Sequence, residues 1–193
     1  MKNRIITISR EFGSGGRTIG KLVAEKLDIP CYDSQLIHQI ALESGFDENY
    51  IKDAGEYAPG GFLSSALSSR SFGPTNEDLL WEVQQKIITE LAEKGSCVIV
   101  GRCADYILQD RTDVLNVFIH GNEEEKCQRI MKLYEKSRKE ALAMMKDTDK
   151  KRSINYAYHT EQKWGDTRNY ALCMNSSILG YETCMELIKK SME

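Results

Sequence analysis

The stretch ISREFGSGGRTIG, from Ile8 to Gly20, decides how the rest of the chain is interpreted. It overlaps the apolar run RIITIS (4–9), contains four glycines and runs into the helical pattern TIGKLVAEKLD. Glycine permits positive φ angles and close approach of the backbone, so successive N–H groups can face one anion at the start of a helix. A glycine-rich loop between a buried strand and a helix therefore predicts a phosphate-binding site.

The spacing of this loop differs from the standard phosphate-binding pattern G-x-x-x-x-G-K-[ST], in which lysine reaches the terminal phosphate and the hydroxyl ligates magnesium. If Gly15 is the last glycine of the loop, Gly16 occupies the lysine position and Arg17 comes one place later. Arg17 could reach phosphate or point into solvent, and Thr18 could ligate magnesium or simply cap the helix. The alternative for the whole loop is a tight turn without a ligand. The candidate donor-phosphate residues are Gly13, Ser14, Gly15, Gly16, Arg17 and Thr18.

Five short apolar runs rich in β-branched residues predict buried strands, and long helical patterns separate them. The runs are 4–9, 29–33, 96–100, 115–120 and 172–175. Continuous apolar strands that alternate with helices are typical of a parallel sheet covered on both faces, so the predicted fold class is α/β with three layers. The stretch 75–95 is a strong helix prediction because it opens with capping residues and ends at a glycine. A further helix is expected from residue 123 to beyond Tyr134.

A competing interpretation of the same glycines is the dinucleotide fingerprint G-x-G-x-x-G/A, with an acidic residue about 20 positions later. Gly13 and Gly15 match its beginning and Asp33 supplies the acid, but Thr18 occupies the position of the third small residue. The match is therefore weaker than the match to a phosphate-binding loop.

Polar residues follow the second and third predicted strands, where ligands bind in open α/β sheets. Arg102 comes after the third strand, and its fixed fork of donors suits an oxyanion; the alternative is a pair with an acid such as Asp105. Asp33 and Ser34 follow the second strand and could contact a substrate or simply cap the next helix. These residues are the candidate acceptor site.

Two segments fit the alternation of strands and helices poorly. Residues 47–75 are rich in Gly, Ser and Pro, and residues 137–170 carry many charges. Long segments of this kind are more often lids or binding elements than idle loops, although each could be a surface loop with no role. The cations of the second segment could neutralise transferring phosphoryl oxygens or simply form a solvated face; they are Lys150, Lys151, Arg152, Lys163 and Arg168.

Bulk properties exclude several classes of protein. The formal net charge is −3 with mixed signs along the chain, so a nucleic acid polymer is not expected as a partner. The six cysteines stand singly without a C-x-x-C pair, which favours reduced thiols in the cytoplasm. The apolar run at the N-terminus is too short for a signal-peptide core, and no run approaches the roughly 18 apolar residues that a membrane span needs.

The sequence resembles the cytidylate-kinase-like proteins within the nucleoside monophosphate kinase group of P-loop folds. The resemblance covers nearly the whole chain and rests on four stretches: ISREFGSGGRTIGKLVAEKL, CYDSQLI, VIVGRCADYIL and DTRNYALCMNSS. It implies a central five-stranded parallel sheet, a helical acceptor-binding insertion (47–75) and a lid (137–170). It also implies ATP with Mg²⁺ as the donor and a small phosphorylated acceptor such as a nucleoside monophosphate.

The resemblance assigns residues 13–18 to the donor phosphates, Asp33 and Ser34 to the acceptor, Arg102 to the arginine after the third strand and Arg152 to the lid. Three positions depart from cytidylate kinases. Gly16 replaces their lysine, Gln39 replaces an arginine and Cys103 replaces an aspartate.

From these matches and departures we expect phosphoryl transfer in which Arg17 or Arg152 replaces the missing lysine. The acceptor is expected between the strand ends and the insertion and is not preferentially cytidine monophosphate. The alternative function is a module that binds a nucleotide or phosphate ligand without turnover.

Overall fold

A computed structural model describes residues 4–33 and 76–192. Within these residues five parallel strands form one sheet in the order β2-β3-β1-β4-β5. The strands are β1 (Ile5–Arg10), β2 (Cys31–Tyr32), β3 (Cys97–Val100), β4 (Val114–His120) and β5 (Leu172–Asn175). All five coincide with the predicted apolar runs, and the α/β class with a five-stranded parallel sheet is confirmed.

The helices of the described residues alternate with these strands. They are α1 (Gly16–Leu27), α2 (Asn76–Lys94), α3 (Ala104–Ile107), α4 (Glu123–Tyr134), α5 (Arg138–Thr160), α6 (Ser176–Leu179) and α7 (Tyr181–Lys190), with a 3₁₀ turn at Thr167–Asn169. None of the helices in the described ranges is both long and apolar enough to cross a membrane.

Side chains of the central strand β1 point alternately to two apolar layers, as the twofold period of a strand requires. Ile6 and Ile8 pack in the layer formed with α1 and α7, whereas Ile5 packs in the layer formed with α2. All three are fully buried, and each contributes roughly 1.5–3 kcal/mol by leaving water. This two-sided core holds the carboxyl ends of β1 and β3 side by side.

The helix after β4 is shorter than we expected from the sequence. It ends at Tyr134 because Glu135 adopts a left-handed conformation with φ of 53°. Two residues later Ser137 begins α5 with a capping box, in which its side chain and that of Glu140 bond each other's backbone N–H groups. The charged segment predicted as a lid thus begins as the long helix α5, which packs against α4 through Ala141 and Met145.

Several predictions concern residues outside the described part of the chain. The expected acceptor-binding insertion (47–75), Ser34 and Gln39 all lie there. All six cysteines are described and are free thiols, and four of them are buried. Burial raises the pKa of the Cys97 thiol to about 11, which makes this residue an unreactive core side chain.

Candidate functional site

The loop between β1 and α1 owes its path to two glycines. Gly13 and Gly15 have φ angles of +84° and +82°, which other residues adopt only at a cost. Gly15 is also the N-cap of α1, and a Cβ atom there would lie 2.5 Å from the ring of Tyr181. Position 15 therefore requires glycine both for its conformation and for space.

Hydroxyl groups fix the carbonyl side of this loop. Ser14 Oγ lies 2.9 Å from the carbonyl oxygen of Glu11 and 3.1 Å from that of Ile119, and Ser176 Oγ lies 2.6 Å from that of Ser14. Of the predicted phosphate ligands, Ser14 thus uses its hydroxyl to tie the loop to β4. Among the described residues, the backbone N–H groups of residues 13, 15, 16 and 18 donate to no backbone carbonyl oxygen. These amides lie at the positive end of the helix dipole, where anions are favoured.

Arg17, exposed at the start of α1, forms an ion pair with Asp33, which is almost buried just after β2. Arg17 Nε and Nη2 both lie 2.7 Å from Asp33 Oδ2. The sequence assigned Arg17 to the donor phosphate and Asp33 to the acceptor, and the structure brings the two side chains together. The pair thus connects the glycine loop to the end of β2.

Thr18, the candidate magnesium ligand, contacts a residue that sequence reasoning missed. Arg129 of α4 donates from Nη2 to Thr18 Oγ1 at 2.9 Å, and its guanidinium also lies 5.2 Å from the centre of the Tyr181 ring. A hydroxyl oxygen has two lone pairs, so one remains for a cation. The spacing of Lys126 and Arg129, three residues apart on one helix face, was the only sequence signal for this contact.

Lys126, one turn before Arg129, ties the same helix to the start of the loop. Its ammonium lies 2.6 Å from Glu11 Oε2, and this carboxylate also accepts from the N–H of Gly121. A cleft of about 300 Å³ opens beside these residues, lined by Gly13, Glu125, Lys126, Ser176, Ser177, Gly180 and Tyr181. The cleft adjoins the glycine loop at Gly13.

Three successive residues after β3 adopt left-handed conformations. The φ angles are +81° for Gly101, +59° for Arg102 and +54° for Cys103. Non-glycine residues in this region cost roughly 1 kcal/mol or more each and cluster at functional sites. Gln84 Nε2 donates to the carbonyl oxygen of Arg102 at 3.1 Å, which holds the turn against α2. Arg102 therefore stands at the predicted strand end on a strained backbone.

Asp105, suggested as a partner for Arg102, belongs to a buried cluster. Its carboxylate accepts a 2.7 Å hydrogen bond from the hydroxyl of Tyr156 and lies 3.4 Å from Ser9 Oγ. Burial raises the pKa of Asp105, and the hydrogen bond from Tyr156 partly offsets that rise. Because Tyr156 lies on α5 and Ser9 on β1, the cluster anchors α5 to the central strand.

A second contact holds α5 against the loop. Arg152 Nη1 donates to the carbonyl oxygen of Arg10 at 3.1 Å, and its guanidinium lies 5.6 Å from the centre of the Phe12 ring. Asp149, one turn earlier, accepts from the N–H of Phe12 at 2.7 Å. Arg152 is therefore next to the loop, as expected. Of the other cations of this segment, Arg168 pairs with Asp166, and its side chain is exposed to solvent.

The fold and this site define an α/β protein of the P-loop kinase type, with a parallel sheet whose first strand leads through a glycine loop into a helix. The model of the cytidylate kinase-like family matches residues 5–178, so the chain belongs to that family. Membership of this kinase-like family supports phosphoryl transfer as the general chemistry.

Solved structures support the fold. An uncharacterized protein from Eubacterium ventriosum ATCC 27560 is 32% identical with a TM-score of 0.77, covering 97% of both chains. A shikimate kinase from Bacteroides thetaiotaomicron is 17% identical with a TM-score of 0.53, covering 96% of both chains. A gluconokinase from Sinorhizobium meliloti 1021 is 16% identical with a TM-score of 0.55, covering 97% of this chain and 90% of its own. The comparison with curated proteins gives no match.

Proposed function

We propose that this protein transfers a phosphoryl group from ATP to a small acceptor. The observation that carries the proposal is the loop from Gly13 to Thr18, whose amides cluster at the start of α1 while hydroxyls and β4 hold its carbonyl side. Backbone amides at a helix N-terminus are a general phosphate site. Three arginines stand around this loop, namely Arg17, Arg102 and Arg152, and such cations stabilise the charge of a transferring phosphoryl group.

The donor site extends from the loop into the neighbouring cleft. The phosphates of ATP would bind the loop amides, and the nucleoside would enter the cleft beside Lys126 and Tyr181. The remaining lone pair of Thr18 Oγ1 would contribute one ligand to Mg²⁺, which in such sites is held largely by phosphate oxygens and water. Bound Mg²⁺ would neutralise charge on the phosphates. Arg129, which already donates to Thr18, would orient this hydroxyl.

The acceptor site is proposed at the carboxyl ends of β2 and β3, between Asp33, Ser34 and Arg102. An oxygen of the acceptor forms the new bond to the γ-phosphorus. The bond from that phosphorus to the bridging oxygen breaks, and ADP leaves with the electron pair. If the acceptor oxygen is a hydroxyl, its proton is released to water. Arg102 would offer a phosphate or carboxylate group of the acceptor two parallel donors.

We propose that the acceptor is not preferentially cytidine monophosphate. Cys103 stands where cytidylate kinases have aspartate, and it is buried with its Sγ near Asn155 Nδ2 at 3.8 Å. Gln39 stands where they have arginine. A site that lacks the groups that hydrogen-bond a substrate cannot discriminate strongly in its favour.

The test begins with thermal unfolding in the presence of nucleotides and phosphorylated metabolites, with and without Mg²⁺. A ligand that binds only the folded protein raises the apparent stability. Candidate acceptors are then added with ATP, and consumption of γ-phosphate is measured. The exposed Lys21, one turn beyond the loop on α1, provides the control K21A, which removes a positive charge without touching the site. Absence of both nucleotide binding and turnover would refute the proposal.

A second function is favoured by one observation. Position 16 lacks the lysine of catalytic phosphate loops, which is compatible with a module that binds ATP without transferring its phosphate. Such a module would show ATP-dependent stabilisation in the thermal assay and no loss of γ-phosphate with any acceptor. Phosphoryl transfer predicts both signals together, so the same pair of measurements separates the two functions.

A further inference from the structure

Arg10, the last residue of β1, fills the space in which a side chain at position 16 would begin. A Cβ atom at Gly16 would lie 2.5 Å from Cβ and 2.9 Å from Cγ of Arg10. Gly16 is not among the residues with positive φ, so its backbone would suit any residue. Glycine is therefore needed at position 16 only for the room that Arg10 takes, whereas Gly13 and Gly15 also have positive φ angles that favour glycine.

The guanidinium of Arg10 lies at the end of the neighbouring strand β3. A Cβ atom at Gly101 would overlap Arg10 Nη1 and lie 2.8 Å from Cζ and 3.2 Å from Nη2. Because β1 and β3 are adjacent in the sheet, the side chain crosses from the phosphate loop to the strained turn that carries Arg102. Two glycines far apart in sequence thus make room for one arginine.

The geometry points to Arg10 as the residue that contacts the terminal phosphate of the donor in place of the lysine that Gly16 replaces. This inference rests on the proposed function. A guanidinium always carries its charge and presents a planar fork that fits phosphate oxygens. In phosphoryl transfer the protein contributes mainly positioning and charge neutralisation, so a cation from position 10 can serve as well as one from position 16.

The other two candidate arginines are held differently. Arg17 is bound to the carboxylate of Asp33 on the acceptor side. Arg152 donates to the carbonyl oxygen of Arg10 itself, which braces the end of β1 from α5. Arg10 is the one of the three whose side chain lies directly over the first residue of α1, where the lysine of a standard loop would start.

Three variants distinguish the effect of the positive charge of Arg10 from the effect of the space that its side chain occupies beside Gly16. Arg10→Met retains the aliphatic part that packs on Gly16 and removes the charge. The double variant R10G/G16K replaces the arginine by a lysine at the standard position, for which removal of both Cβ and Cγ of residue 10 makes room. R10G/G16A fills the same room without charge and is the matched control. Affinity for ATP and for ADP is measured by calorimetry with Mg²⁺, and ATP consumption is measured with the acceptor found in the screen.

We expect Arg10→Met to weaken ATP binding roughly tenfold or more while ADP binding changes less than about threefold, as for one lost charge-assisted contact. R10G/G16K should recover most of the ATP preference and turnover, and R10G/G16A should not. The single substitution G16K should lower the unfolding midpoint of the wild type more than that of R10G, because only the wild type has Cβ and Cγ of Arg10 in the way.

The outcomes distinguish the two levels of the proposal. If the wild type binds neither nucleotide and consumes no γ-phosphate, the proposed function fails and this inference fails with it. If the wild type prefers ATP and Arg10→Met retains that preference, the assignment of Arg10 alone is wrong. Equal behaviour of R10G/G16K and R10G/G16A would also overturn it, since the charge at position 16 would then have no effect.

Discussion

Arg17 and Asp33 form an ion pair in which Nε and Nη2 of the arginine both lie 2.7 Å from Oδ2 of the aspartate. Arg17 lies at the start of α1, and Asp33 lies just after β2. They meet because α1 runs back along the sheet and β2, which is parallel to the other strands, returns the chain to the edge where α1 begins. Half of the Arg17 side chain is exposed, against about a tenth of Asp33. The pair joins the loop that is proposed to bind the donor to the strand end that is proposed to bind the acceptor.

We predict that this pair contributes little to stability. Partly exposed ion pairs are typically worth about 0–1 kcal/mol, so R17A should lower the free energy of unfolding by no more than about 1 kcal/mol in urea titrations. Its larger effect should be on the KM for the acceptor, because Asp33 loses the group that orients it. A stable variant with an unchanged KM for the acceptor would contradict the link between the two sites.

Gly15→Ala should be strongly destabilising. The substitution combines a left-handed backbone, which costs roughly 1–2 kcal/mol for alanine, with a clash against the Tyr181 ring. Nucleotide-dependent stabilisation should be lost as well, since the loop must move. The same substitution in a Y181A background should cost less, and urea unfolding of the four proteins measures the difference. Equal costs in both backgrounds would show that the ring does not limit this position.

Arg102→Gly should separate function from stability. Glycine relieves the strain of the left-handed backbone at φ of +59°. This gain offsets part of the stability lost with the contacts of the arginine side chain, so only a modest change in unfolding free energy is expected. Turnover at limiting acceptor should fall roughly tenfold or more, as expected for a lost charge-assisted contact. Unchanged turnover would show that the acceptor site has been misplaced. Arg102→Lys, which keeps the charge but loses the fork, should be intermediate.

Replacing Cys103 by the aspartate of cytidylate kinases should destabilise the protein and should not produce selective turnover of cytidine monophosphate. Cys103 is buried, and the neighbouring Asp105 is one of the groups that raise its pKa, after the larger effect of burial. A carboxylate at this position would be desolvated beside a second acid, and we expect C103D to cost roughly 2 kcal/mol or more. C103S is the control of similar size. Selective turnover of cytidine monophosphate by C103D would show that this single position sets the acceptor.

Asp105 should make stability depend on pH in a defined direction. Its pKa is raised in the folded protein, mainly by burial, so between the unfolded and the folded pKa the folded state binds more protons. Stability from this group is therefore largest at low pH and falls as pH rises through the folded pKa. The difference in unfolding free energy between wild type and D105N should shift in favour of D105N across that range. A difference that is flat with pH would remove Asp105 as the cause.

Sequence patterns were sufficient to predict the five strands, the helix over α2 and the place of the glycine loop. These features depend on local causes, namely the twofold and 3.6-residue periods of burial and the φ angles that glycine permits. The same local reasoning overextended the helix after β4, because a left-handed residue such as Glu135 leaves no clear signature in composition.

The sequence by itself therefore determined an α/β sheet with a phosphate-type loop after its first strand, and it marked Gly16 as the position of a missing lysine. Only the tertiary structure decided what surrounds that position. Arg10 reaches Gly101, and Arg129 reaches Thr18, across about 90 and 110 residues of sequence. Such contacts follow from the order β2-β3-β1-β4-β5, which places distant segments side by side, and no local periodicity specifies which side chains meet there.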